Sequence, residues 1–311
     1  MSLTDLDELL AGGPPVRATG TFRLGEMPGG SVIDVPYTVV RGEPGPTVWV
    51  MAARDGDEVH ASLVAMRLQR ALDPNVVRGT VAVMPIGNVP GFGVLSREHP
   101  LAPTYLESQM DHRYFELMSE RGGRFVDLHS AGVPSDTVDW TLFVEGDDLG
   151  AAMARAYGSP FVYEHRIGGG EGPDPGLLDG ALFVRLSHAG VPSILIEAGG
   201  GLPPHPTTVD RAFEGVWNVL RRLGTIAEEP KPTATPRMLH GFRIVTSSRG
   251  GFFEDGVALG ADVTVGQRLA SVVDAHGEVV EEILAPAAGV VLTVPVNPAA
   301  GTGTWAYEIG W

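Results

Sequence analysis

Pro46-Thr47-Val48-Trp49-Val50-Met51-Ala52-Ala53-Arg54-Asp55-Gly56-Asp57-Glu58-Val59-His60 is the stretch on which the fold turns. Residues 47–51 form a short apolar run behind Pro44-Gly45-Pro46, which reads as a buried strand of a mixed or parallel sheet. A polar turn follows. Apolar residues then recur near helical spacing at Val59, Leu63, Met66, Leu68 and Leu72. The alternation continues along the chain. Residues 79–85, 124–128 and 193–197 read as further strands, and residues 105–121 and 149–157 as helices. Residues 209–223 (VDRAFEGVWNVLRRL) make an amphipathic helix. Upstream, residues 19–41 show β-rich alternation broken by turn residues. Strands alternating with helices predict an α/β sandwich with a mixed sheet flanked by helices.

Outward from this core the composition narrows the function classes. With 311 residues, 43% of them hydrophobic, the chain can bury a large core, as one big domain or one plus a small satellite. The net charge of −16 repels phosphate backbones, so nucleic acid is not expected as a partner. Cysteine is absent, so any metal must be held by His, Asp or Glu. Lysine occurs once, at Lys231. The first thirteen residues are acidic and unlike a signal peptide, and no apolar stretch approaches a membrane span. No membrane association is expected, and a cytoplasmic location is the economical expectation.

The character of the chain changes at Glu228, where EEPKPTATPR places three prolines in ten residues. Such a stretch suits an extended, semi-rigid linker. The expected division is therefore 1–228, a linker at 229–238, and 239–311. The last part shows short β runs between Gly, Pro and Asp with no persuasive helix, as in a small all-β unit. Gly251-Phe252-Phe253 through Val257, Gly260, Val263, Gly266-Gln267 and Leu269, with Ala285-Pro286-Ala287-Ala288-Gly289-Val290-Val291, resembles a biotinyl/lipoyl-like sandwich. A carrier domain needs an acceptor lysine, and residues 239–311 contain none. A structural or substrate-gating unit remains.

Three segments carry the chemistry, each where a strand ends and α/β sheets build their sites. They are Ala53-Arg54-Asp55-Gly56-Asp57-Glu58, Val126-Asp127-Leu128-His129-Ser130 and Ile196-Glu197-Ala198-Gly199-Gly200. Asp55 and Glu58 stand three apart, so one turn can aim both at one ligand. His129 adds an imidazole, and the set suits Zn²⁺, Mn²⁺ or Fe²⁺. Glu197 ends an apolar strand, where partial burial would raise its pKa towards that of a general base. Plainer readings exist for the same residues. A carboxylate beside a Gly turn is commonly a helix N-cap or a solvated loop residue. A histidine at a strand end is commonly satisfied by local hydrogen bonds.

The ordered set of segments resembles the succinylglutamate desuccinylase/aspartoacylase family of zinc-carboxypeptidase-like hydrolases. Residues 53–58 are similar to its G-x-H-G-x-E, Pro85-Ile86-Gly87-Asn88-Val89-Pro90 to its P-x-x-N-P, and Arg97 with Pro100 to the following R-x-x-P. Residues 126–130 resemble its V-D-L-H-S, and Gly190-Val191-Pro192 through Gly200 the stretch that bears its catalytic Glu. The resemblance runs from about Trp49 to Leu223 and continues into the β unit. It implies one Zn²⁺ per chain held by Asp55, Glu58 and His129. It also implies Glu197 as general base and a cation, best supplied by Arg97, beside the oxyanion. The implied reaction is hydrolysis of an N-acyl amide in a small amino-acid-like molecule, with assembly into a homo-oligomer compatible with the family.

Two departures separate the chain from the family pattern. Asp55 stands where the family has His, which makes the site more anionic and turns Asp127 towards a second carboxylate. The family's D-x-N-R has no Asn-Arg counterpart after Arg97, which argues against N-acetylaspartate or succinylglutamate as substrate. These departures leave two other readings open, a catalytically impaired relative that binds or regulates, and a carboxypeptidase that uses Arg97, Arg113 or Arg185 for a terminal carboxylate. His60 is a conceivable replacement ligand, and His165, His188 and His205 could approach the site. The glycine-rich residues 166–177 could form a lid.

Overall fold

A computed structural model of the chain describes residues 3–27, 29–97, 103–168, 177–231 and 235–311. Its main strands are β1 (Val16–Glu26), β2 (Val32–Arg41), β3 (Glu43–Ala52), β4 (Arg78–Met84) and β5 (Arg124–His129). After the short β6 (Ser135–Thr137) come β7 (Trp140–Val144), β8 (Phe161–His165), β9 (Ser193–Glu197) and β10 (Arg237–Leu239). All but β6 form one nine-stranded mixed sheet in the order β1-β2-β4-β3-β5-β9-β7-β8-β10. Its central strands β4, β3, β5 and β9 run parallel.

Helices cover both faces. They are α1 (Leu3–Leu10), α2 (Val59–Ala71), α3 (Val89–Phe92), α4 (Pro103–Arg121), α5 (Asp148–Tyr157), α6 (Leu182–His188) and α7 (Pro206–Arg222). The pleat of β3 explains the layering, because alternate residues face opposite sides. Val48, Val50 and Ala52 join a core with α2, α5 and α7, whose stripe includes Ala212, Val216, Val219 and Leu220. Trp49 and Met51 join the opposite core with Tyr114 and Met118 of α4 and Phe183 of α6. A strand buried on both faces must be apolar throughout, which is why residues 47–51 carry no polar alternation but Thr47 at the edge.

The elements read from the sequence form within a few residues of their expected bounds. Several of the others carry no clear periodicity. Among them are β7, β8, the seven-residue α6, and α1, whose acidic sequence nonetheless places Leu6 in the core. Several expected features fall outside the described residues: Pro100 with its neighbours 98–102, residues 169–176 of the glycine-rich loop, and residues 232–234 of the proline-rich stretch. Among the described residues no helix is long and apolar enough to cross a membrane.

Residues 239–311 are helix-free and form β11 (Phe242–Thr246), β12 (Gly251–Glu254), β13 (Asp262–Val263), β14 (Arg268–Val273), β15 (Val279–Leu284), β16 (Gly289–Pro295), β17 (Ala299–Ala300) and β18 (Trp305–Gly310). They make two small antiparallel sheets around Leu269, Val272, Ile283, Val291 and Ile309. Two pairings tie them to the rest. β10 lies parallel to β8, and β6 pairs with Thr293–Pro295 of β16. Leu239 and Leu292 bury into the main core.

Two glycines let the loops of the central strands approach closely. A Cβ on Gly56 would lie 2.2 Å from the Gly91 carbonyl carbon and 2.5 Å from Ser96 O. The Gly56 N–H donates to Arg97 O at 3.1 Å, so the turn after β3 is laced to the segment that carries Arg97. On Gly200, a Cβ would lie 2.1 Å from Ser135 O. Gly56→Ala is therefore expected to lower stability by about 1–3 kcal/mol, measured as a shift of the urea midpoint. An unshifted midpoint would mean that the turn is not packed as described.

Candidate active site

The carboxyl ends of β3, β5 and β9 lie side by side. The register pairs His129 with Glu197, so both side chains leave the sheet on the same face. β3 runs out through Ala53, which takes φ 48°, and into the turn Asp55-Gly56-Asp57. Glu58 then opens α2. Its carboxylate does not cap the helix. Instead it accepts the Ser130 N–H at 3.2 Å and lies 3.0 Å from His129 Nδ1. The plainer reading of this carboxylate as an N-cap therefore does not hold here.

Asp55, Glu58 and His129 are buried, and one ligand atom from each lies within 4.8 Å of the others. His129 Nδ1 is 3.5 Å from Asp55 Oδ2, and His129 Nε2 is 3.3 Å from Asp127 Oδ1. Asp127 thus stands behind the imidazole, close to it but without a well-directed hydrogen bond, where the sequence had Asp127 turning towards Asp55. Arg97 Nη2 lies 2.7 Å from Asp55 Oδ2 and Nη1 3.8 Å from Glu58. Arg54 contacts Asp55 at 3.8 Å and Asp111 at 3.1 Å. Asn88 holds the Arg97 segment, accepting the Gly91 N–H through its side chain and donating to Arg97 O at 3.4 Å.

The charges act on one another. Burial would raise the Asp55 carboxyl, but Arg54 and Arg97 outweigh it and hold the group well below the usual carboxylate range. Burial pushes Glu58 up to about 7, with His129 opposing the rise and Asp55 adding to it. Burial would lower His129, yet Glu58 and Asp127 raise it well above the ordinary imidazole value. Glu197 is pushed well above the ordinary carboxylate value by burial and then by the Glu58 charge.

Two carboxylates and one imidazole form a hard-to-borderline donor set. Asp55 Oδ2 is buried without a well-directed hydrogen bond even though Arg97 stands beside it. The residues therefore fit a divalent cation. Histidines elsewhere do not join them. His60 accepts the His205 backbone N–H at 3.1 Å, and His165 pairs with Asp179 at 2.9 Å. Neither His188 nor any of these lines the cavity over the site.

That open cavity has a volume of about 300 Å³. Glu58, His129 and Glu197 open into it together with Arg54 and Arg97. Arg113 pairs with Glu116 on α4 and Arg185 lies over the Phe115 ring, so neither alternative arginine reaches it. The sequence did not reveal three further contributors. Asp111 comes from the middle of α4, and Trp305 and Glu308 from β18. No local motif marks them. Trp305 packs its ring 5.4 Å from the Arg97 guanidinium carbon.

A helix-flanked mixed sheet with acid and imidazole groups gathered at the ends of parallel strands is the zinc-carboxypeptidase-like class of fold. The model of the succinylglutamate desuccinylase/aspartoacylase catalytic domain matches residues 44–106. The chain is 27% identical over 266 residues to the N-alpha-acetyl-L-2,4-diaminobutyric acid deacetylase of Halomonas elongata, covering 77% of this chain and 74% of that one. Among solved structures it resembles a succinylglutamate desuccinylase/aspartoacylase from Rhodobacter sphaeroides, with a TM-score of 0.79, 22% identity, and 95% of each chain covered. It also resembles the product-bound ectoine utilization protein EutE from Ruegeria pomeroyi, with a TM-score of 0.82, 22% identity, and 97% and 96% of the chains covered. The partial match to the family model, the deacetylase relative and these structures together support the resemblance to the succinylglutamate desuccinylase/aspartoacylase family.

Two outcomes are expected for metal binding. Glu58 and His129 must both lose their protons to ligate; the Glu58 proton is held up to about pH 7 and the His129 proton well above the ordinary imidazole value. Zinc affinity should therefore fall by at least about tenfold per pH unit below 7, measured by competition with a chromophoric chelator. A flat profile from pH 8 to 6 would contradict the assignment. Asp127→Asn removes the group behind His129 and should weaken zinc by about 10- to 100-fold, while saturating at the wild-type stoichiometry.

Proposed function

We propose that the protein is a metal-dependent deacylase, with Zn²⁺ held by Asp55, Glu58 and His129 and Glu197 as general base. It would hydrolyse the N-acyl amide of a small amino-acid-like molecule. The observation that carries this reading is the convergence of Asp55, Glu58 and His129 at one point, with Glu197 in register beside His129 at the wall of the cavity. The deacetylase activity named for the Halomonas relative supports the reaction class.

When bound, the zinc ion supplies a Lewis acid that polarises the amide carbonyl and acidifies a water. Glu197 takes a proton from the attacking water as its oxygen bonds to the carbonyl carbon. As the carbon–nitrogen bond breaks, Glu197 hands that proton to the departing nitrogen. The products are a carboxylic acid and a free amine. Arg97 borders the cavity and offers guanidinium N–H groups to the oxygen that gains negative charge. Asp127 lies behind the His129 ring, whose Nδ1 faces the carboxylates.

The raised pKa of Glu197 sets the expected pH dependence. A base must be deprotonated to act, and burial keeps Glu197 protonated to a higher pH than an ordinary carboxylate. The acid limb of kcat/KM should therefore lie above the ordinary glutamate value of about 4.3. A limb at or below that value would contradict the role. Glu197→Gln should lower kcat by about 10²- to 10⁴-fold while leaving zinc content unchanged by elemental analysis. Retained turnover would refute the base.

A further inference from the structure

We propose that the end of the cavity beyond Glu197 is an acyl subsite for an uncharged hydrocarbon group, so that the preferred substrates are amino acids N-acylated with a hydrophobic acid larger than acetic acid. The inference rests on the deacylase reading of the cavity and goes further by naming the class of acyl group.

The sheet sets the two ends of the cavity. β3, β5, β9 and β7 lie side by side in that order. The register puts His129 beside Glu197 and Glu197 beside Trp140, and two residues back along the strands it pairs Leu195 with Leu142. Paired residues leave a sheet on the same face. With about 4.8 Å between neighbouring strands, the Trp140 backbone stands about 10 Å from that of His129. Glu197 therefore lies at the boundary between the ligand turn on one side and Trp140 on the other. Arg54 and Arg97 gather on the Asp55 side.

Beyond Glu197 the wall is largely hydrocarbon. Trp140, Leu142 and Leu195 line it from the main sheet, and Phe242 and Ile244 from β11. Phe242 sits edge-on between Trp140 at 5.4 Å and Tyr163 at 5.3 Å, so this wall is held in place before a ligand arrives. The basic residues among the described lining are Arg54, Arg97 and His129, none of them from these strands. Glu308, opposite Ile244 in the β11–β18 register, accepts a hydrogen bond from Thr293 Oγ1 at 2.6 Å, and burial raises its carboxyl. An acidic acyl group placed here would meet Glu197 and Glu308, at a cost in repulsion and desolvation. The amino-acid carboxylate is drawn instead to the arginines. The amide then lies at His129 and Glu197, and the acyl group extends over Trp140. An acetyl group stops one carbon past the carbonyl, whereas each further carbon laid on this wall gains burial.

The test compares kcat/KM of the zinc-loaded protein for three N-acylglycines, bearing acetyl, 4-methylpentanoyl and succinyl groups. The last two have the same stem and differ in carrying an isopropyl group or a carboxylate. Wild type is expected to favour 4-methylpentanoyl over each of the others by at least about tenfold. Ile244→Trp fills the apolar end and should cut the preference over acetyl by about 10- to 100-fold. An unchanged preference in folded Ile244→Trp would overturn the proposal, as would a wild type that favours acetyl or succinyl. If Ile244→Trp does not fold, Ile244→Thr places a hydroxyl in the same wall. It should lower the preference by a smaller factor, and an unchanged preference would again overturn the proposal. Faster turnover of N-acetyl-leucine than of N-acetylglycine, without any acyl preference, would seat the amine's side chain there and overturn the acyl assignment. If wild type hydrolyses none of these compounds, the deacylase reading fails while the subsite is still tested by calorimetry with the free acids. Tighter binding of 4-methylpentanoate than of acetate or succinate, with the difference lost in Ile244→Trp, would support it, and equal affinities would overturn it.

Discussion

The constraint on which the site depends is the burial of two carboxylates side by side. Ligand atoms of Asp55 and Glu58 lie within 4.8 Å of each other. At that distance two full charges repel by about 3.5 kcal/mol at an effective dielectric of ~20. The fold answers with Arg54, Arg97 and the imidazole of His129. It also leaves the pair unevenly titrated, with Asp55 held low by the arginines and Glu58 pushed high. A divalent ion would relieve the same repulsion more completely, because both carboxylates could then be charged. The packing of Gly56 against residues 91–96 and the Asn88 contacts follow from this need, since they hold the Arg97 segment against the turn.

Asp55 stands where the family pattern has His, and the neighbouring groups differ accordingly. A neutral imidazole at that position would need no guanidinium beside it. Asp55 has Arg97 at 2.7 Å, so the arginine serves both the ligand turn and the cavity. Trp305 of β18 covers that arginine. Asp55 is thereby linked, through Arg97, to a residue more than 200 positions away in the chain. The small β sheets, joined to the main sheet through β6 and β10, are part of the cavity wall as well as a packing unit.

The fold was legible where one physical signal dominated. The apolar run at residues 47–51 and the amphipathic stripe of α7 are periodic because burial on two faces, or on one, leaves no freedom. β7 is buried throughout but only five residues long, and α6 spans seven, so neither is long enough to display a period. Asp55, Glu58, His129 and Glu197 could be picked out because each stands in a short segment at or just beyond the end of a strand. Asp111, Trp305 and Glu308 were not, because they reach the cavity only through tertiary packing of α4 and β18. His60 was a reasonable candidate by proximity, but two residues past Glu58 the helix turns it towards His205.

The most direct test is a crystal structure of the zinc-loaded protein with anomalous data collected across the zinc edge. The expected result is one peak per chain, within about 2.0–2.2 Å of carboxylate oxygens of Asp55 and Glu58 and of a ring nitrogen of His129. Arg97 would be displaced from Asp55, and Glu197 would stand close by but outside the ligand set. A zinc-saturated crystal with no peak there, or with Arg97 still bridging the two carboxylates, would contradict the account.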